Sequence, residues 1–142
     1  IIDLLVINTE TLNAHPELGK ALTGAWYEIM ATMSSDSEQG VAARSYMAEA
    51  SGTDLAGYEA QLAATKMFYT PAAALELTNS AQLKQTMQYV AEFSFDHGLL
   101  GEGAPDAGFI GVQMPAGDYG DNSNLKLRFD PTYMQMAADN QL

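Results

Sequence analysis

The chain has 142 residues, an ordinary length for one domain, and 47% of them are hydrophobic, which is enough for a packed core. Its formal net charge of −12 comes from 18 acidic and 6 basic residues, and this charge repels both nucleic acid and anionic membrane surfaces. The chain contains no cysteine, which excludes disulfides, thiolate metal sites and cysteine nucleophiles.

Residues 1–8 form a short segment rich in branched apolar side chains, which ends at the polar residues Thr9, Glu10 and Thr11. A short apolar run of this kind, followed by polar residues, is typical of a buried strand. The pattern therefore predicts a strand over 1–8, with a loop or a helix start behind it.

The next segment carries apolar residues at helical spacing. Pro16 suits the first turn of a helix, where its missing N–H costs nothing. The residues that share one face are Leu18, Ala21, Leu22, Ala25, Trp26, Ile29, Met30 and Met33. This stripe predicts a long amphipathic helix with Trp26 in the core.

Three further helices are predicted from their start signals. Asp36 and Gln39 resemble a capping pair, which predicts a helix that runs to about Gly52. Thr53 and Asp54 predict the start of the next helix. Thr70 followed by Pro71 predicts a short helix over 72–77.

A fifth helix is predicted behind Asn79 and Gln82, which resemble a second capping pair. Gly98 is expected to end this helix in the left-handed conformation. The predicted core face comprises Leu83, Met87, Val90, Ala91 and Phe95.

The C-terminal third predicts the strand component of the fold. Residues 109–114 and 125–129 are short strand candidates, and the Gly-, Asp- and Asn-rich segment between them predicts a hairpin connection. Asp130 and Pro131 predict a last helix over 132–139. The expected fold is a helix-dominated α/β unit over residues 1–142, with about six helices and two or three short strands.

The polar residues carry no diagnostic catalytic motif. Neither His15 nor His97 has a carboxylate or a second histidine at metal-ligand spacing on one helix face. The 101–108 loop departs from the dinucleotide fingerprint, because a helix precedes it and Asp106 stands where the third glycine belongs. Asp118 and Asp121 have neighbours typical of a calcium loop, but the order of an EF-hand is not matched, which favours a turn. No cofactor and no metal are predicted.

The order of the segments is more informative than any single residue. Residues 4–12 read LLVINTETL, 15–22 read HPELGKAL, and Ala25-Trp26-Tyr27-Glu28 follow; later come FSFDHGLL at 93–100 and LRFDPTYM at 127–134. In this order they resemble solute-binding proteins of the nitrate, sulfonate and taurine ABC importer group, which are type II periplasmic binding proteins. Within that group, the sequence of these segments most resembles the urea transporter branch.

The resemblance implies a function that the residues alone do not. It covers essentially the whole chain and implies the C-terminal portion of a longer, two-lobed α/β receptor, whose lobes close on a solute. It implies a non-catalytic periplasmic protein that delivers a small polar solute, such as urea or a related amide, to an ABC permease. Asn8, Thr9 and Glu10 would then face the cleft; the alternative is that they only start a helix, with Thr9 as its N-cap.

Two other functions are also compatible with the sequence. The chain could be a helical interaction or regulatory domain of the cytoplasm, or a hydrolase that uses His97 with Asp96 or Glu102.

Helices that evolved to cover a sheet expose apolar faces when that sheet is absent. The expected partners are therefore a small solute, a permease and a second copy of the chain, through exposed helix faces or a domain swap, and no nucleic acid.

Overall fold

The computed structural model describes residues 2–142, and over these residues the protein is a helix-dominated α/β fold with seven α-helices and one two-stranded parallel sheet. The helices are α1 (Thr9–Ala14), α2 (Pro16–Met33), α3 (Glu38–Ala50), α4 (Leu55–Ala64), α5 (Pro71–Thr78), α6 (Ala81–Asp96) and α7 (Thr132–Ala138), and the strands are β1 (Gly111–Gln113) and β2 (Leu125–Arg128). None of these helices combines the length and hydropathy needed to cross a membrane.

The chain groups into two compact units. The first unit contains the residues up to Pro71 together with 136–142, and the second contains residues 72–135. Among the described residues, the first unit contains helices but no strand, whereas the second holds α6, the sheet and most of α5.

Helices α2, α3 and α4 of the first unit pack in sequence, α2 against α3 and α3 against α4. The Asp54 carboxylate accepts a hydrogen bond from the Gly57 N–H and starts α4, as predicted. The start of α3 differs from the prediction, since Ser37, not Asp36, caps it by accepting from the Gly40 N–H at 3.1 Å. Buried Met30, Met33 and Ala48 form the core of this unit.

The apolar stripe of α2 is only partly buried. Met30 and Met33, near the end of the helix, are 7% and 5% exposed. Trp26 and Ile29 are 46% and 56% exposed, so the prediction that Trp26 is a core residue is wrong. The helix was correctly predicted, but part of its apolar face has no cover among residues 2–142.

The N-terminal segment also differs from its prediction. Ile1 lies outside the described residues, and residues 2–8 form no strand and no helix. Leu4, Leu5 and Val6 are exposed, so the predicted buried strand is absent from this structure. The physical reason is that a strand needs a neighbouring strand for its backbone hydrogen bonds, and no described strand pairs with this segment.

In the second unit, α6 ends as the sequence predicts. Gly98 has a φ of +68°, the Gly98 N–H donates to the Phe95 carbonyl, and the Leu99 N–H donates to the Ser94 carbonyl. These two bonds form a Schellman motif, which only a residue tolerant of positive φ completes without strain.

The other end of α6 and its core face are corrected by the structure. Ser80, not Asn79, is the N-cap; its hydroxyl accepts from the Leu83 N–H and donates to the Leu77 carbonyl. Leu83 is the best buried residue of this face, at 1% exposed, whereas Val90 is 48% exposed, against the prediction.

The sheet corrects the predicted hairpin. Strands β1 and β2 are parallel, with Val112 opposite Leu127 and Gln113 opposite Arg128. The chain first turns back so that Val112 and Tyr119 exchange two antiparallel hydrogen bonds of 2.8 and 2.9 Å. A 3₁₀ turn over Asn122–Asn124 then reverses the chain again and brings β2 alongside β1. Because of this double reversal, both strands end at the same edge of the sheet.

Candidate functional site

The three predicted solute-binding residues lie at the start of α1. Asn8 is its N-cap, and its Oδ1 accepts hydrogen bonds from the Thr11 N–H at 3.0 Å and from the Thr11 hydroxyl at 3.3 Å. Thr9 and Glu10 occupy the first turn, and all three residues are exposed. The N-cap of α1 is therefore Asn8, one residue before Thr9, which the sequence offered as the cap.

In this arrangement the side chains differ in the hydrogen-bonding groups that they can offer a ligand. The Asn8 carbonyl is engaged in capping, which leaves the amide N–H₂ as the donor on offer. Glu10 adds a carboxylate, which accepts hydrogen bonds only. Asn8 thus offers a hydrogen-bond donor and Glu10 an acceptor, which are the two kinds of group that an amide pairs with.

The two histidines have local structural partners. His15 Nδ1 lies 3.1 Å from Glu17 Oε1 in an exposed pair at the start of α2. The His97 ring stacks on Phe93 with centroids 3.9 Å apart, and its Nδ1 lies 2.8 Å from the Phe93 carbonyl oxygen. A carbonyl only accepts, so Nδ1 carries the proton and donates it there. That nitrogen is thus oriented by the helix and not by Asp96 or Glu102.

The acidic loop before β2 has a structural role. Asp121 Oδ1 accepts from both the N–H and the hydroxyl of Ser123, at 2.8 and 2.7 Å. The Ser123 hydroxyl and N–H hold the pKa of this exposed carboxyl below its ordinary value. Asn124 Nδ2 donates to the Phe109 carbonyl at 2.8 Å. Residues 2–142 contain no group of three histidine or acidic side chains arranged to hold a metal ion.

A pocket of about 460 Å³ opens in the second unit where the two parallel strands end; we call it the strand-end pocket. One wall is the turn after β1, which carries Met114, Pro115 and Asp118. The other wall is the segment after β2, with Phe129, Asp130 and Pro131. In open α/β sheets, ligands bind in the crevice outside the carboxyl ends of the strands.

Hydrogen bonds fix both walls of the strand-end pocket. The Phe129 N–H donates to the Gln113 carbonyl at 2.9 Å, and the Gly117 N–H closes the turn by donating to the Met114 carbonyl at 3.0 Å. Asp130 Oδ1 accepts from the Thr132 N–H at 2.9 Å, so it also caps α7. The pocket is thus formed by hydrogen-bonded backbone rather than by loose loops.

Sequence reasoning did not find the strand-end pocket. The signal that could have found it is the proline that follows each strand, Pro115 and Pro131, together with the charged residues beside them. That signal is readable only when the strands are known to be parallel, because a hairpin would place these two ends apart.

No protein-family model, no curated protein and no solved structure matches the chain.

Proposed function

We propose that the chain is the C-terminal part of a periplasmic solute-binding protein, a non-catalytic component that delivers a small polar solute to an ABC permease. The resemblance of residues 4–12, 15–22, 25–28, 93–100 and 127–134 to the nitrate, sulfonate and taurine group supports this proposal. Urea or a related amide is the solute class we propose, with Asn8, Thr9 and Glu10 at the binding cleft of a type II receptor.

One observation carries the proposal: large apolar side chains of the first resembling segment and of α2 behind it lack an apolar cover. Leu5 and Val6 are 58% and 68% exposed, and Ile29 in the middle of the α2 stripe is 56% exposed. Exposing a large aliphatic side chain forgoes about 1.5–3 kcal/mol of burial free energy. A β-sheet supplied by chain upstream of residue 1 would pair with residues 2–7 and cover this face of α2.

Trp26 provides the test, since it is the only tryptophan in the chain. In the monomeric 142-residue chain, at low salt, its indole is 46% exposed, so we expect red-shifted emission and ready quenching by acrylamide. In a protein extended upstream as its gene encodes, a covering sheet would shift the emission to the blue and reduce the quenching constant severalfold. N-acetyltryptophanamide is the reference for full exposure, and Trp26→Phe gives the background.

Equal emission and equal quenching in the two proteins would refute the covered-face argument. The solute is tested separately, by calorimetric titration of the extended protein with urea, acetamide, nitrate and taurine. We expect an amide to bind, and Glu10→Gln to weaken it roughly tenfold, the loss typical of one hydrogen bond to a charged group. If none of the four binds, the solute class is wrong.

The second candidate function is a helical interaction domain. It is favoured by the exposed side chains of Tyr89 and Phe93 on α6 and of Leu99 just after it, which are 59%, 57% and 68% exposed. Partner-binding helices present such aromatic and aliphatic anchors at i, i+4 spacing. The fluorescence experiment distinguishes the two candidates, because an interaction domain would leave Trp26 exposed in the extended protein.

A further inference from the structure

The lining of the strand-end pocket carries both signs of charge. Arg128 and the carboxylates of Asp118 and Asp130 line it, and the Lys84 ammonium lies next to Gly117 in the turn that forms one wall. The lining thus holds one cation and two anions, with a second cation beside one wall, in a chain whose net charge is −12. A site with both signs of charge favours a ligand that also carries both.

We propose that the strand-end pocket binds a small apolar amino acid in its zwitterionic form. The ligand carboxylate pairs with Arg128, whose planar guanidinium presents five N–H donors in a fork that matches a carboxylate. Five donors exceed what one contact inside the protein uses, so Arg128 can keep an internal partner and still bind the ligand.

The ligand ammonium is held by the acidic side chains of the two walls. Asp118 is exposed in the turn after β1, and Asp130 lies directly after β2. The Asp130 cap of α7 uses one of about four lone-pair positions on that carboxylate, so acceptor capacity remains for an ammonium N–H. The two carboxylates belong to different walls of the same pocket, which suits a group with three N–H donors.

The remaining lining selects an apolar side chain on the ligand. Met114 is 4% exposed and Phe129 is half-buried, and both prolines present ring carbons without a backbone N–H. The volume of about 460 Å³ falls in the range of small-molecule sites and exceeds what one amino acid of leucine size fills. An aliphatic side chain is therefore accommodated beside the charged groups.

L-leucine and its two half-ligands test the proposal on the 142-residue chain. Isoamylamine keeps the ammonium and the branched tail, and 4-methylpentanoate keeps the carboxylate and the same tail. We expect titration calorimetry and amide chemical shifts of Gln113 and Gly117 to report leucine binding with a dissociation constant of about millimolar or tighter, and each half-ligand to bind at least roughly tenfold more weakly.

Substitutions test which charged side chain binds the carboxylate of the ligand and which binds its ammonium group. Arg128→Gln should weaken leucine roughly tenfold or more and leave isoamylamine unchanged, whereas Asp118→Asn should weaken isoamylamine and leave 4-methylpentanoate unchanged. Lys126→Gln is the matched control: it removes the same charge from β2 two residues away, outside the pocket lining. Circular dichroism checks that each variant is folded, and Asp118, in an exposed turn, gives a second variant if Arg128→Gln unfolds.

Three results would overturn the proposal: no shift of the Gln113 and Gly117 amides with leucine at about 10 mM, equal binding by leucine and a half-ligand, or equal loss in Arg128→Gln and Lys126→Gln. Because the pocket lies within one unit, this test needs no upstream chain. Its failure would leave the proposed transport function standing, and failure of the fluorescence test would leave the leucine site standing.

Discussion

Arg44 joins three segments of the first unit through one side chain. Its Nη1 donates to the carbonyls of Met33 and Ser35, at 2.8 and 2.7 Å, and its Nε donates to Glu59 Oε1 at 3.0 Å. The first two acceptors lie at the end of α2, where carbonyls lack helical partners and a cation is favoured. The side chain is only 11% exposed, so these contacts are shielded from water.

We expect Arg44→Met to lower the free energy of unfolding by about 2–3 kcal/mol, because two carbonyls lose a charged donor. Urea denaturation followed by circular dichroism measures this loss. Glu59→Gln is the control, since Glu59 is 45% exposed and such a surface pair contributes at most about 1 kcal/mol. Equal losses in the two variants would show that the ion pair, not the carbonyl contacts, is what Arg44 contributes.

Tyr119 gives the second unit a defined response to alkaline pH. Burial first, and then the carboxylates of Glu92 and Asp106, raise the pKa of its phenol above 10.0. The folded state thus favours the neutral phenol. This stabilisation is complete below the unfolded-state pKa and is lost as the pH rises through the folded-state pKa.

The free energy of unfolding should therefore fall as the pH rises past about 10, the ordinary pKa of a phenol, and Tyr119→Phe should flatten that fall. Part of the slope should remain in the variant, because burial also raises the pKa of Tyr27. Urea denaturation across this pH range measures both slopes. Identical slopes for the two proteins would contradict the assignment to Tyr119.

The residue-level predictions succeeded where a single candidate was present. Gly98 had no nearby competitor and was assigned correctly, whereas Thr53 and Asp54 were predicted together and the structure shows Asp54 as the cap. Asp36 was predicted as a cap from its spacing to Gln39, but Ser37 beside it can also cap a helix. In the structure the helix starts at Ser37, whose hydroxyl accepts from the Gly40 N–H. A Cβ at Gly40 would collide with the carbonyl oxygens of Ser35 and Thr32, and the sequence does not show this constraint.

At the scale of the element, helices were predictable and the sheet was not. Helical periodicity and caps are local, so α2 to α6 were found within a few residues of their bounds. Strand direction depends on the path between β1 and β2, where the Val112–Tyr119 bridge and the 3₁₀ turn each reverse the chain. A Gly- and Asn-rich connection is compatible with one reversal of the chain or with two. The sequence therefore could not predict the parallel sheet or the strand-end pocket.

Gly120 is the residue on which this double reversal depends. It has a φ of +78°, and a Cβ there would collide with the carbonyl oxygens of Ile110 and Gly108. We expect Gly120→Ala to lower the free energy of unfolding by about 1–3 kcal/mol, from positive-φ strain and the displaced backbone.

The matched control for Gly120 is Gly103→Ala. A Cβ at Gly103 has no atom within 4 Å, so this variant should stay within about 0.5 kcal/mol of the parent protein. Thermal unfolding measures both variants, and the Val112 and Tyr119 amide signals report whether the bridge is retained. A neutral Gly120→Ala with an intact bridge would disprove this account of the connection.

At the scale of the molecule, the amount of exposed apolar surface is the main feature. Among residues 2–142, fourteen large hydrophobic side chains are exposed and only seven hydrophobic residues are buried. Exposed apolar side chains in such number are typical of surfaces that another chain segment or another copy covers.

Self-association in the isolated chain should therefore depend on salt. Each copy carries −12, and this charge keeps copies apart at low ionic strength, where the screening length is about 30 Å. Screening shortens to under about 8 Å above 0.15 M salt, which leaves the apolar attraction unopposed. We expect light scattering to show monomers at about 10 mM salt and dimers or larger species at about 0.3 M.

The exposed face of α2 is the expected contact between copies. The double variant Trp26→Gln and Ile29→Gln should stay monomeric at both salt concentrations, because it removes two large exposed apolar side chains and no charge. Gln61→Asn, at an exposed polar position of α4, should associate like the parent chain. A parent chain that remains monomeric at high salt would show that its apolar faces do not bind a second copy, and association of the double variant would move the contact away from α2.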